Sequence, residues 1–186
     1  LQSTVRLVDG IHSKSKNYKA KTVSGNVVGI FIAGKKERLP ISVNSVEAVA
    51  HRGLVGDRYY AKMGTFSEAE PFGPGREITL IEEESVNLMA KRLGYNVDAA
   101  KLRRNVLTRG VRLNDLVGRQ FTIGNVRLMG IRLCHPCAHL ERLSGWSVRT
   151  HLKEQGGLRA DILDNGWLHV GDKVNIDPDL PSTTSP

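Results

Sequence analysis

The chain carries many short β-strand patterns and few helical ones, and this constrains its fold more than any other feature. Residues 26–33 form a continuous apolar run rich in Val and Ile, which is typical of a buried strand. Further strand patterns follow between turn residues at 43–50, 77–81, 105–108, 120–123, 126–128, 160–163, 167–170 and 173–176. Because closure removes the exposed edges of such a sheet, we predict a mainly β, barrel-like fold with a few peripheral α-helices.

Turn motifs suggest how neighbouring strands connect. Gly124-Asn125 separates 120–123 from 126–128, and residues 164–166 (Asp-Asn-Gly) separate 160–163 from 167–170. Both motifs are typical of tight β-hairpins. The apolar alternation also changes phase near Gly130, which indicates a β-bulge.

Two segments outside the cysteine motif have helical character. Apolar residues at i, i+3, i+4 and i+7 predict an amphipathic helix over residues 82–93 that ends at Gly94. A shorter helix is expected over residues 148–155, closed by Gly156 and Gly157. Residues 61–75 are rich in Gly and Pro and are predicted to be a loop.

Composition and charge limit the function classes. A chain of 186 residues fits one domain, for which we expect a basic lead-in over 1–23, a barrel over 24–176 and a tail over 177–186 that need not fold. The net charge of +8 indicates attraction to an anionic ligand or partner. No apolar run approaches the roughly 18 residues of a membrane-spanning helix. Two cysteines close in sequence cannot staple such a domain, so a cytoplasmic location is expected.

Both cysteines lie in one C-x-x-C motif within the stretch RLMGIRLCHPCAHLERL, residues 127–143. Pro136 breaks the extended pattern and AHLERL reads as helix, so Cys137 is expected where a helix begins. Unpaired backbone N–H groups and the helix dipole can stabilise a thiolate there. His135 and His139 are candidate proton acceptors beside it. The alternative is two half-buried structural cysteines at a strand end.

Arginines are concentrated in the segment LRRNVLTRGVRL, residues 102–113, where Arg103, Arg104 and Arg109 surround Asn105 and Gly110. Guanidinium groups bind oxyanions through paired N–H donors, so this pattern predicts an oxyanion or phosphate cradle. A second candidate is the glycine-bracketed motif GLVGDR, in which Asp57 and Arg58 either pair with each other or point into a site.

Five motifs in order also resemble the MOSC domain, the module named for the C-terminal part of molybdenum cofactor sulfurases. They are GLVGDRYY, REITLIEEE, RRNVLTRG, VGRQFTIGNVRLMGIRLCHPC and GGLRADILDNGWLHVGDKV, within residues 26–176. The resemblance implies a barrel-like fold and a functional thiol at Cys137 that carries sulfur as a persulfide or ligates molybdenum. It also implies that Arg104, Asn105 and Gly110 line the same pocket.

The resemblance further implies binding of molybdenum cofactor and, as in stand-alone members, reduction of N-hydroxylated small molecules. Arg104 and Arg109 would hold the pterin phosphate, with Arg103, Arg112 or Arg132 as substitutes. The chain has no room for a pyridoxal-phosphate-dependent domain, so a cysteine desulfurase-like sulfur donor or an electron-transfer partner is expected. Tyr59 stands where the family often has His, and Cys134 is outside the resemblance. The oligomeric state stays open.

Three other functions fit parts of the sequence. A thiol-disulfide protein would use Cys134 and Cys137, although such motifs normally come early in a βαβ pattern. A zinc site would need two more ligands, and no second C-x-x-C exists. A basic barrel that binds nucleic acid matches the charge, but 5% aromatic residues offer few stacking surfaces.

Overall fold

Strands dominate the computed structural model, which describes residues 23–65 and 73–176. The strands are β1 (Val23–Ile32), β2 (Ile41–Val43), β3 (Ser45–Val49), β4 (Gly53–Leu54), β5 (Ile78–Glu82), β6 (Val106–Arg109), β7 (Gln120–Ile123), β8 (Val126–Leu133), β9 (Leu158–Ile162), β10 (Gly166–His169) and β11 (Lys173–Ile176). The helices are α1 (Glu83–Leu93), α2 (Ala138–Ser144) and α3 (Val148–His151), with short 3₁₀ turns at Ala99–Leu102 and Leu113–Leu116.

Seven strands close into a barrel. Their order is β11-β7-β8-β9-β5-β6-β1, and β1 pairs back to β11 through a register that joins Val23 to Ile176. The pair β5–β6 is parallel, whereas the other barrel pairs are antiparallel. Closure leaves these strands without free edges, which confirms the predicted mainly β, barrel-like fold.

Every second side chain of the strands points into the barrel, and these side chains fill its interior. In β9, Leu158, Ala160 and Ile162 are fully buried, and Arg159 and Asp161 between them are partly exposed on the outer face. A three-stranded sheet, β10-β3-β4, contributes further apolar side chains to the same core. The barrel therefore has one continuous hydrophobic centre.

A second apolar cluster lies between the outer wall of the barrel and the helices. Ile81 of β5 and Leu107 of β6 pack there with Met89 of α1, Leu140 of α2 and Val148 of α3. Helix α1 ends at Gly94, whose φ of 78° places it in the left-handed region. The predicted amphipathic helix and its glycine stop are confirmed.

The hairpin predicted at residues 164–166 is wrong. Strand β9 pairs with β5 and β8, whereas β10 pairs with β3 in the second sheet. The intervening side chains bind elsewhere: Asp164 pairs with Arg127, and Asn165 Oδ1 accepts the Ala50 N–H at 2.8 Å. These long-range contacts direct the chain from the barrel into the second sheet.

Other predicted elements are confirmed or shortened. The Gly124-Asn125 hairpin joins β7 to β8, and a register shift follows Gly130 as the phase change indicated. The strand expected over 43–50 is β3 alone, separated from β2 at Asn44, and α3 ends at His151 instead of continuing to residue 155. The predicted lead-in, apart from Val23, the tail and residues 66–72 of the predicted loop lie outside the described residues.

Within the described residues no helix is both long enough and apolar enough to cross a membrane.

Candidate functional site

Cys137 lies where β8 gives way to α2. It is the N-cap residue of α2, with an extended backbone (φ −134°, ψ 165°), and its carbonyl accepts the Glu141 N–H at 3.1 Å. The side chain of Cys137 is exposed, whereas Cys134 is 2% exposed, and both thiols are free. The predicted position of Cys137 at a helix start is confirmed, and the two cysteines have unlike environments.

A cleft beside Cys137 follows the outer wall of the barrel across β9, β5 and the segment before β6, which are neighbours in the sheet order. Its empty volume is about 540 Å³, counting the part that opens to solvent. The lining residues are Arg58, Tyr59, Thr65, Thr79, Arg103, Arg104, Cys134, His135, Cys137, His139, Leu140 and Arg159. No Asp or Glu is among these described residues.

Arg104 is fixed in the cleft wall by neutral acceptors. It is 7% exposed, and its guanidinium donates to the carbonyls of Gly156 at 2.8 Å, Leu102 at 3.1 Å and Cys134 at 3.2 Å. These carbonyls satisfy three of its N–H donors without cancelling its charge. The same bonds tie the segment before β6 to the segment that carries the cysteines.

Asn105 organises the base of the cleft. Its Oδ1 accepts from the Thr79 N–H at 3.1 Å and from the Thr79 hydroxyl at 2.8 Å. Its Nδ2 donates to the Phe31 carbonyl at 3.2 Å and to Asp57 Oδ2 at 3.3 Å. One buried amide thereby joins β1, β5 and the loop after β4, so Asn105 acts beneath the cleft surface.

Asp57 holds Arg58 in place. The Asp57 carboxylate is 3% exposed and accepts the N–H groups of Ala33 at 3.1 Å and Tyr59 at 3.0 Å. Arg58 Nη1 lies 3.3 Å from Asp57 Oδ2, and its guanidinium carbon is 5.1 Å from the centre of the Tyr59 ring. The pair predicted from the GDR sequence is present, and it directs Arg58 toward the cleft.

Arg103 and Arg159 extend the cationic wall on two sides. Arg103 Nη1 donates to the Arg38 carbonyl at 2.6 Å, and Arg159 Nη1 donates to the Gly75 carbonyl at 3.3 Å. Burial, followed by the charge of Arg58, lowers the pKa of Arg103 to about 10. A guanidinium whose pKa falls in this way lies in a partly dehydrated, electropositive environment. The cleft is therefore suited to an anion.

The sequence profile of the MOSC domain matches residues 68–175, which is more than half of the chain. The chain belongs to the MOSC domain family.

Solved structures agree with this fold at low sequence identity. The YuaD protein from Bacillus subtilis is 18% identical with a TM-score of 0.71, and the match covers 84% of this chain and 97% of that chain. YiiM from Geobacillus stearothermophilus is 15% identical with a TM-score of 0.62 over 82% and 75% of the two chains. YiiM from Escherichia coli is 17% identical with a TM-score of 0.57 over 83% and 71%. No curated protein matches the sequence.

The MOSC fold brings together only part of the predicted site. Cys137, Arg58, Arg103 and Arg104 line the cleft. Asp57 and Asn105 lie directly behind the cleft. Asp57 positions Arg58 and Asn105 positions Thr79, and both of these partners line the cleft. Arg132 is exposed and faces Arg159 across the β8–β9 ladder, so it borders the cleft without lining it.

Arg109 and Gly110 lie at the other end of β6, and the structure does not bring them to the cleft. Arg109 donates to both carboxylate oxygens of Glu83, and the Gly110 N–H donates to Glu84 Oε1 at 2.8 Å. Arg112 pairs loosely with Asp115 at 3.9 Å. The expectation that Gly110 and Arg109 line the same pocket as Arg104 is corrected, because an extended strand separates them.

Arg159 and Thr79 line the cleft and were not singled out from the sequence. They are direct partners in the β5–β9 ladder, and both face outward from the barrel. The signal was available for Arg159, because it lies between the inward-facing Leu158 and Ala160. An arginine between two inward-facing apolar residues of a strand lies on the outer face of the barrel, where it can contact groups outside the core.

A zinc site is not assembled in the described part of this MOSC domain. No three His, Cys, Asp or Glu side chains among residues 23–65 and 73–176 group closely enough to hold a metal ion. Structural zinc sites need four protein ligands. Cys134 and Cys137 therefore do not share a zinc cage with other described residues.

Proposed function

We propose that this MOSC domain binds a phosphorylated molybdenum cofactor in the cleft, with Cys137 as the protein's thiolate ligand. One observation carries the proposal: the exposed thiol of Cys137 opens onto the same cleft as Arg58, Arg103, Arg104 and Arg159. A soft metal centre selects thiolate ligands, and a phosphate group is held by guanidinium donors. The chain thus offers both halves of the required donor set.

The residues present fit such a group in chemistry. The cleft opens to solvent, so a bound cofactor would not need to be fully enclosed. Because no carboxylate is among the described residues that line the cleft, this lining offers a phosphate no repulsive charge. When bound, the molybdenum centre would supply the two-electron redox chemistry for reducing N-hydroxylated small molecules with electrons from a partner protein.

The side chains of the cleft would act mainly by binding and orientation. Arg104 is held rigidly by three carbonyls, so it can bind an anion at little further loss of side-chain entropy. Arg103 and Arg159 approach from either side. Asp57 and Asn105 would act as positioning residues, because they touch Arg58 and Thr79 behind the cleft surface.

A second candidate is a sulfur carrier that holds a persulfide on Cys137. The difference in exposure between the two cysteines supports it, since a donor can reach Cys137 and cannot reach the buried Cys134. The Cys137 thiolate would attack the outer sulfur of a desulfurase-bound persulfide, and the donor cysteine would leave as a thiolate. The same exposure pattern favours a single-thiol mechanism over the thiol-disulfide alternative.

Native mass spectrometry on protein from cells supplied with molybdate tests both candidates. We expect wild type to carry a mass that matches a molybdopterin species, Cys137→Ser to lose the molybdenum, and Cys134→Ser to retain it in reduced yield. One added sulfur atom without metal would favour the carrier. Equal loss in both cysteine variants would contradict the single-thiol proposal, and a bare wild-type chain would contradict both candidates.

A further inference from the structure

The cleft arginines differ in how their charges are compensated. Arg103, Arg104 and Arg159 are held by backbone carbonyls, which orient a guanidinium but leave its positive charge intact. Among the described residues, Arg58 is the one cleft arginine that forms an ion pair with a carboxylate, that of Asp57, which lies behind the cleft. The surface that faces Cys137 therefore keeps an excess of positive charge.

His139 adds another hydrogen-bond donor to this surface. Its Nδ1 lies 3.1 Å from Arg142 Nη2, and a guanidinium can only donate. Nδ1 is thus the acceptor, so the proton of the neutral ring is on Nε2. Arg142 is itself held by Glu37 at 2.8 Å. The polar wall beside the thiol is built largely from groups that donate to anions.

We propose that Cys137 accepts a sulfur atom directly from a small dianionic donor of the thiosulfate class, bound by the cleft arginines. The inference uses the thiol of the proposed function and names its sulfur donor, but it does not require the molybdenum cofactor. An exposed thiol next to carbonyl-held arginines favours a small sulfur oxyanion over a neutral donor, because the anion compensates the charge that the protein leaves unpaired.

The sulfur-transfer step balances without another reactant. The Cys137 thiolate attacks the outer sulfur of thiosulfate, a new Sγ–S bond forms, and the S–S bond of the donor breaks with its electron pair leaving on sulfite. The cysteine sulfur is oxidised and the sulfonate sulfur is reduced, so no external oxidant is needed. The thiol proton goes to solvent. In the assay, added cyanide removes the outer sulfur as thiocyanate and restores the thiolate.

The arginines would contribute in two ways. They would bind the donor dianion beside the thiolate, where two negative reactants otherwise repel each other. They would also stabilise the negative charge that develops on the leaving sulfite. Arg103 and Arg159 are the informative positions, because each is only partly buried and donates to a single backbone carbonyl among the described residues, whereas Arg104 is tied into the fold by three.

Intact-mass measurement of the full chain with thiosulfate labelled at its outer sulfur tests this inference. Every variant is made in a Cys134→Ser background, so that one thiol is followed. The wild-type chain, with both cysteines, is measured as a reference. We expect Cys137 to gain one labelled sulfur atom and cyanide to release it as labelled thiocyanate. Cys137→Ser should gain none.

Charge variants separate recognition of the anion from reactivity of the thiol. Arg103→Gln and Arg159→Gln should each slow transfer from thiosulfate about tenfold or more, relative to alkylation by the neutral reagent iodoacetamide. Dividing by the alkylation rate cancels any change in thiolate fraction. Arg127→Gln, at the far end of β8 and paired with Asp164, is the matched control and should change the ratio less than twofold.

Failure of this inference can be told apart from failure of the proposed function. If Cys137 takes no sulfur from thiosulfate, or if both arginine variants react as fast as the control, the inference is overturned even when the protein retains molybdopterin. If labelled sulfur is transferred with the expected arginine dependence but no molybdopterin is ever retained, the inference stands and the cofactor proposal fails.

Discussion

The two ends of β6 carry the same type of residue in opposite electrostatic settings. Before the strand, Arg104 donates to three backbone carbonyls. At its end, Arg109 donates to both oxygens of the Glu83 carboxylate, which raises the pKa of Arg109 and lowers that of Glu83. One arginine keeps its net charge in a cleft, and the other is neutralised on the surface.

This difference indicates that the partner of an arginine determines whether its charge is available to a ligand. A carbonyl fixes the guanidinium and leaves its field available to a ligand, whereas a carboxylate cancels that field. Among the described residues, four guanidiniums and no carboxylate line the cleft. At the far end, Glu82, Glu83 and Glu84 accept hydrogen bonds from the last residue of β6 and from residues that follow it. We therefore expect the two ends to respond differently to substitution.

The largest effect is expected for Asp57→Ala at the cleft end. The substitution leaves Arg58, which is 7% exposed, buried without its carboxylate, and it frees the N–H groups of Ala33 and Tyr59. Breaking a buried charge pair in this way costs about 3–5 kcal/mol. Urea unfolding followed by circular dichroism measures the loss. Glu83→Ala at the far end is the control and should cost much less, and equal losses would contradict the comparison.

Two glycines that flank these regions give the next largest contrast. Gly157 has φ of +102°, and a Cβ there would lie 1.9 Å from the Leu80 carbonyl oxygen. Gly110 has φ of +80°, with no atom nearer than 3.7 Å to its added Cβ. Gly157→Ala should lose more than about 3 kcal/mol, because strain and a backbone clash add, whereas Gly110→Ala should lose only the strain of about 1–2 kcal/mol. Thermal and urea unfolding of both variants measure the two losses of stability. Equal losses, or a larger loss in Gly110→Ala, would contradict this prediction.

Anion binding compares the arginines directly. Arg159→Gln should weaken binding of inorganic pyrophosphate, a probe of the cleft, about tenfold, because one unneutralised guanidinium is lost. Arg109→Gln removes the same formal charge from the chain but should change the affinity less than twofold at moderate salt, since Glu83 already compensates it. Isothermal titration calorimetry at two salt concentrations distinguishes local contact from net charge. Similar losses in both variants would mean that total charge alone attracts the anion.

The sequence predicted the barrel well because its signals are local. Alternation in segments such as 120–123 sets which side chains face inward, and closure removes the edges that many short strands would otherwise expose. The hairpin at residues 164–166 failed for the opposite reason. Its turn motif is local, but the strand partners are chosen by distant contacts such as Asn165 with the Ala50 N–H. Local turn chemistry cannot reveal these.

The site was predicted in part, and the error at Arg109 has a simple geometric cause. Five extended residues span about 16 Å, so a strand over 105–108 already places Arg104 and Arg109 at opposite ends. The cradle was predicted from the concentration of arginines along the sequence, without regard to the length of this strand. Cys137 was found because proline and the AHLERL pattern fix the helix start locally. The role of Asn105 as a buried link could not be predicted from the sequence, because its partners Phe31, Asp57 and Thr79 come from three separate segments.

The smallest expected effect is a pair of opposite pH dependences at the far end of β6. Arg109 lowers the pKa of Glu83, so the ionised carboxylate stabilises the fold near neutral pH, and that stability is lost as pH falls through the lowered pKa. Burial raises the pKa of the adjacent Glu82, so its contribution is largest in acid and is lost as pH rises through the raised pKa. The carbonyl partners of Arg104 do not titrate.

Urea unfolding of Glu83→Gln and Glu82→Gln across acid to neutral pH should reveal these slopes. Glu83→Gln should change the folding equilibrium constant at neutral pH less than about tenfold, because the exposed ion pair is weak, and should match wild type once the pH falls far enough to protonate Glu83 in the folded chain. Glu82→Gln keeps an oxygen that can accept the Leu113 N–H, so its cost relative to wild type should shrink as pH rises. Parallel slopes in the two variants would show that Arg109 does not neutralise Glu83 in solution, and the contrast between the two ends of β6 would lose its electrostatic basis.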